Sequence, residues 1–133
     1  MNLEKKIKIA SILPYKENYS KKNASAASLW VSEYFKKSIF KDFNVIYGNT
    51  KSKDYLTKNY INIELKSINS KFRSTTTEYA DKLINRCKIK NYDLIEIHNR
   101  PLLLAKLKNK INSKFIFYFH NDPIIYEWIK KNR

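Results

Sequence analysis

Three short segments of this sequence carry most of its chemistry. Glu96-Ile97-His98-Asn99-Arg100-Pro101 and His120-Asn121-Asp122-Pro123 hold both histidines of the chain, and Pro14-Tyr15-Lys16-Glu17-Asn18-Tyr19-Ser20 leads towards Ala24-Ser25-Ala26-Ala27. Imidazole exchanges a proton near neutrality, so a histidine in a cleft is a candidate for proton transfer or polar ligand contact. Other chemistries are excluded by what is missing. With a single glycine, no glycine-rich phosphate loop can be built. Two histidines and the lone Cys87 match no zinc spacing, and no Gly-x-Ser-x-Gly elbow is present. Strand one lacks the acidic pair of a phospho-receiver domain. Glu96 and Asp122 are a possible carboxylate pair whose separation the sequence leaves open.

These segments need elements to position them. Ile7 to Leu13 is short, β-branched and closed by Pro14, which reads as a buried strand. From Ala24 the period becomes helical, with Asn23 or Ser25 as N-cap. Ala27, Val31, Tyr34 and Phe35 share one face with Trp30 beside it, and Ser32, Glu33, Lys36 and Lys37 lie largely opposite. Phe43–Tyr47 and Tyr60–Leu65 read as strands two and three. Thr75-Thr76-Thr77-Glu78 fits a capping box opening a helix with Ala80, Leu83, Ile84 and Cys87 on its apolar stripe. Leu94–His98 is strand four. Pro101 suits the first turn of a helix striped by Leu104, Leu107 and Ile111. Lys114–His120, almost continuously apolar, predicts a fifth strand covered on both faces. Asp122-Pro123 opens a last helix from Ile124 to about Lys131.

Strands alternating with helices predict an α/β fold: a Rossmann-like open parallel sheet of about five strands with helices on both faces, residues 1–133 forming one domain. Ligands of such sheets bind beyond the carboxyl ends of the strands, where both histidines and the first loop fall.

The chain of 133 residues carries a formal charge of +15, with 43% hydrophobic residues, enough for a core. That charge points to nucleic acid, an anionic membrane or phosphorylated ligands, or reflects a composition rich in Lys, Asn, Ile and Tyr. Lysine outnumbers arginine 23 to 4, unlike the arginine-led surfaces that read nucleic acid. One cysteine allows no intrachain disulfide, the charged N-terminus is unlike a secretory signal, and no apolar run nears the roughly 18 residues of a membrane span. A cytoplasmic location is expected.

The three segments resemble family 4 of the bacterial glycosyltransferases. Leu13-Pro14-Tyr15-Lys16-Glu17-Asn18-Tyr19-Ser20 with Ala24–Ala27 is similar to the family's first loop and helix start, although Asn23 and Ala24 stand where the family has glycine. Glu96–Pro101 is similar to its Glu-Val-His-Asn-Arg-Pro segment, and His120–Pro123 to its His-Asn-Asp-Pro segment. The order and spacing match over nearly the whole chain. The resemblance implies one half of a GT-B fold, in which two Rossmann-like domains face across a cleft. This half is the N-terminal, acceptor-side one of a retaining, metal-independent enzyme, with a nucleotide-sugar as co-substrate and no further cofactor.

By that resemblance His120 contacts the transferring sugar or its phosphate as the catalytic residue. Its substrate-binding companions are His98, Asn99, Arg100, Asn121, Asp122, Lys16, Ser25 and Ala26. The positive end of the first helix would receive the departing diphosphate, with small residues allowing close approach. Partners implied are a glycan or lipid-linked acceptor and possible contact with the anionic inner face of the cytoplasmic membrane. The chain stops ten residues after Pro123. The chain is therefore expected to be a fragment, the product of a truncated gene or a half that works with a separate chain carrying the donor domain, and 1–133 alone is expected to be inactive. The competing expectation is a non-catalytic basic module docking on RNA, an anionic membrane or a partner chain. A small nucleotide-binding enzyme is a weaker third, disfavoured by the lack of glycine.

Overall fold

The computed structural model describes residues 6–66 and 74–120. Five parallel strands, β1 (Ile9–Tyr15), β2 (Asn44–Asn49), β3 (Tyr60–Asn62), β4 (Leu94–His98) and β5 (Lys114–Tyr118), form one sheet in the order β3-β2-β1-β4-β5. Helix α1 (Ala26–Lys37) covers one face, and α2 (Thr75–Lys90) with α3 (Pro101–Lys108) the other. This is the Rossmann-like arrangement expected. The strand order reverses between β1 and β4, and open sheets bind ligands at that point.

The larger core lies under α2 and α3. Ala10, Ile12, Ile95 and Ile97 of the central strands meet Tyr79, Leu83, Cys87, Leu103 and Leu107. Burial pushes the Cys87 thiol up to about 12, so it is an inert core group. On the other face Leu13, Tyr19, Val31, Ile46 and Tyr60 form a smaller cluster.

Several expectations need correction. Strand β1 begins two residues later than predicted and runs through Pro14 to Tyr15; the register shifts between Ile12 and Tyr15, an irregularity that accommodates a residue without an N–H. Strand β3 has three residues, because past Asn62 side chains replace the backbone ladder: the Thr50 N–H donates to Asn62 Oδ1 and Asn49 Nδ2 donates to the Ile63 carbonyl. Ser25 caps α1 by accepting from the Ser28 N–H, so the helix starts at Ala26. Its buried stripe is Ala27, Ser28, Val31 and Ser32, with Tyr34 exposed and Phe35 only half-buried. Ser32 turns inward because its hydroxyl is satisfied by the Leu29 carbonyl within the helix.

Ser74, not a threonine, caps α2, and Glu78 accepts from the Lys66 N–H. The α3 stripe is Leu103 and Leu107, with Leu104 partly buried and Ile111 beyond the helix end. Among the described residues, strand β5 is not covered on both faces: it pairs only with β4, ends at Tyr118, and alternates between exposed and half-buried residues. The helix expected over 124–131 lies outside the described residues.

Gly48 is the one glycine, and its place is fixed by Tyr60. A Cβ there would sit 2.8 Å from Tyr60 Oη and 3.0 Å from Cε2. That ring cannot step aside. It stacks on Tyr19 at 5.0 Å, meets Tyr55 at 4.5 Å, and its hydroxyl is bonded to Thr50 Oγ1 and donates to Asn62 Oδ1. Gly48→Ala is expected to cost about 1–3 kcal/mol as overpacking. It would appear as a lower urea midpoint at unchanged slope; an unchanged midpoint would show that the tyrosine cluster yields.

Candidate functional site

The topology brings the two histidines together. His98 ends β4 and His120 lies two residues past β5, at adjacent carboxyl ends of paired parallel strands. His98 Nδ1 and His120 Nε2 are 2.8 Å apart, a hydrogen bond whose donor depends on the tautomer. Asn99 locks this geometry. It adopts a left-handed φ of 56°, tolerated by asparagine, donates its N–H to the Tyr118 carbonyl, and accepts the His120 N–H on Oδ1 at 2.7 Å.

Aromatic rings wall the pair. The His98 ring lies parallel to Tyr118 at 4.9 Å, and Trp30 of α1 sits edge-on to His120 at 5.1 Å and stacks on Tyr34 at 5.2 Å. Trp30, Tyr34 and Tyr118 were not singled out as site residues in the sequence. The spacing of Trp30 and Tyr34 by one helical turn was the available signal, but it equally describes a core stripe.

Electrostatics set the pair's state. Burial drives His98 from 6.5 down to about 3, with the neighbouring His120 adding to the effect. His120 is also lowered, chiefly by burial, with Glu17 opposing. Both rings are therefore neutral at pH 7. His98 Nε2 is buried without a hydrogen-bond partner among the described residues, which leaves Nδ1 of the half-buried His120 as the nitrogen available to a ligand. If His98 donates to His120, that Nδ1 carries a proton and donates; in the other tautomer it accepts.

Glu96 lies one rung below His98 on the same face, buried, and accepts from Ser11 Oγ at 3.1 Å. Burial raises its carboxyl above the ordinary range, against the Ser11 bond. Asp122, the carboxylate it could pair with, lies outside the described residues, as does Asn121.

The remaining predicted residues divide. Arg100 caps α3 and lays its guanidinium 4.6 Å over the Tyr15 ring, joining the ends of β4 and β1 across the switch point. Tyr15 is held by Thr76 Oγ1 at 3.3 Å, and Tyr79 donates to the Leu13 carbonyl at 2.6 Å. Lys16 is exposed with φ 67° and lines a groove of about 610 Å³ over the carboxyl ends of β1–β3 with Asn18, Asn49, Lys51, Tyr55 and Asn62. Ser25 is occupied as N-cap, and Ala26 is exposed at the first turn of α1. Sequence reading thus missed the groove's second wall, the loop from Thr50 to Asn59. That loop is tied to the first by the Lys21 N–H on the Asp54 carbonyl and the Leu56 N–H on the Tyr19 carbonyl.

Among the described residues no three His, Cys, Asp or Glu side chains form a metal-ligand set, and no helix is long and apolar enough to cross a membrane. The fold and site together define a Rossmann-like α/β domain with a histidine pair on its carboxyl edge, beside the switch point. No protein-family model matches the chain, and no curated protein is significantly similar to it.

Proposed function

We propose that this domain is the acceptor-side half of a retaining, metal-independent glycosyltransferase. It would work against a donor-binding half supplied by a continuation of the chain or by a second polypeptide. The observation that carries the reading is the convergence of His98 and His120 at 2.8 Å on the carboxyl edge, beside the switch point bridged by Arg100 and Tyr15. A neutral, preorganised imidazole offers one fixed polar atom to the sugar or departing phosphate without reorganising in the transition state. The groove behind Lys16 gives an acceptor hydroxyl a polar, cation-lined bed on the same edge.

The chain's own part is acceptor binding, orientation and the placing of His120 Nδ1. The sugar and its leaving group come with the donor half. A panel of radiolabelled UDP- and GDP-sugars, tested on the chain alone and joined to a Rossmann-like donor domain, should show metal-independent transfer only in the joined form. Turnover by the 133-residue chain alone would refute the division of labour.

One observation favours the second reading, a non-catalytic basic module. The two imidazoles bond to each other and stack on Tyr118 and Trp30, as a structural cluster would. Turnover measured against stability in His120→Ala separates the two.

A further inference from the structure

The groove over the carboxyl ends of β1–β3 is cationic. Lys16 of the first loop and Lys51 and Lys53 of the second line it, with Glu64 the one carboxylate in the lining. Glu64 is already engaged, its Oε1 accepting from Asn62 Nδ2 at 3.2 Å. Asp54, next to Lys53 in the chain, is not in the lining, and its Oδ2 accepts the Lys22 N–H at 3.1 Å. Among the described residues none of the three ammoniums pairs with a carboxylate.

The groove is also built, not merely charged. Lys16 has a left-handed φ of 67°, which lysine adopts rarely, and such a conformation persists where the surrounding structure fixes it. The Lys51 N–H donates to Asn18 Oδ1 at 3.4 Å, and Ser20 bridges to Tyr55, so the two loops hold a fixed width. The amides of the lining are only half occupied. Asn18 uses Oδ1 for Lys51, and Asn49 donates Nδ2 to the Ile63 carbonyl at 2.9 Å. Asn18 Nδ2 and Asn49 Oδ1 have no partner among the described residues, which leaves one donor and one acceptor, the complement of sugar hydroxyls.

We propose that this groove binds an anionic sugar, a glycan residue whose phosphate or carboxylate lies among Lys16, Lys51 and Lys53 and whose hydroxyls bond to Asn18 Nδ2 and Asn49 Oδ1. This rests on the acceptor reading of the groove, and narrows it from any hydroxyl-bearing acceptor to a charged one. Lysine meets phosphate or carboxylate as a point charge on a flexible stem, without bidentate geometry. The volume of about 610 Å³ suits a small ligand. A nucleic acid strand fits worse: it gains from open stacking rings, and the one ring in the lining, Tyr55, is packed against Tyr60 at 4.5 Å.

The test is an amide NMR titration of the whole chain, without donor, by glucose phosphate, glucuronate, glucose and inorganic phosphate. Glucose phosphate or glucuronate should shift the amides of Lys16, Asn18, Asn49 and Lys51, and the tighter of the two identifies the anionic group. Glucose and inorganic phosphate should each bind at least about tenfold more weakly, one lacking the charge and the other the hydroxyls. Lys16→Ala with Lys51→Ala, which keeps the Lys51 backbone bond, should weaken the anionic sugar about tenfold. Lys41→Ala with Lys90→Ala, at the amino ends of the strands, should change it less than about twofold at physiological salt, which screens distant charges. Asn18→Asp keeps the acceptor for the Lys51 N–H, removes the free donor and adds a repelling charge; it should abolish binding with folding intact by circular dichroism. Equal affinity for glucose would overturn the anionic class and leave the acceptor reading standing. Equal losses from the two lysine pairs, or no sugar bound at all, would overturn the site. Binding of the charged sugar without its glycosylation by the donor-complete enzyme would support the site and sink the acceptor reading.

Discussion

Replacing His120 by alanine in a donor-complete enzyme is expected to cut turnover by a factor on the order of a hundred or more, the usual loss when one preorganised polar group is removed from a transition state. Folding should suffer little. His120 is half-buried past the end of an edge strand, so water can take its place at His98 Nδ1, and the cost should stay near 1 kcal/mol. The paired measurement is turnover against urea midpoint. Full turnover with a stability loss of several kcal/mol would make the histidine pair a structural cluster and favour the non-catalytic module.

The second large effect is on acid stability. The unfolded chain protonates His98 below its ordinary 6.5, while the folded chain resists protonation until about 3. The unfolded state therefore binds more protons across that window. Stability rises with pH from about 3 to 6.5 and is lost as pH falls, by an amount on the order of 3–5 kcal/mol at the acid end. His120, also lowered, acts in the same direction. Glu96 acts in the opposite one: its folded pKa is raised, so its contribution is present at low pH and fades as pH climbs above 4.5. Urea unfolding of His98→Phe across this range should show a flatter acid limb than the unsubstituted protein, because phenylalanine keeps the stack on Tyr118 and removes the titration. Superimposable pH profiles would mean that His98 is solvated in the folded protein.

The fold was legible because its signals were local. Leu94–His98 and the proline opening α3 were readable to the residue, since a β-branched run and a fixed φ act within a few positions. The edge shared by both histidines followed from strand alternation alone. What escaped depended on partners. The buried stripe of α1 could not be read because two of its members are serines, Ser28 and Ser32, and the Ser32 hydroxyl is satisfied by the Leu29 carbonyl within the helix. Tyr118 read as one more apolar strand residue until the pairing of β5 with β4 placed it on His98. The true cap of α2 was missed by one residue, because three threonines and a serine offer the same hydroxyl and only the backbone turn chooses among them.

The position of β1 bears on how the chain comes to be folded during synthesis. β1 is made first yet lies in the middle of the sheet, and its partner β4 follows far along the chain: Ser11 waits 85 residues for Glu96. While the ribosome delivers α1, β2 and β3, one side of the first strand stays open, a row of bare amides and carbonyls beside an apolar surface. Such an edge invites mispairing with other chains, and contacts of this span close slowly. The switch point is thus among the last parts to form, so a nascent chain lacking β4 has a sheet but no cleft.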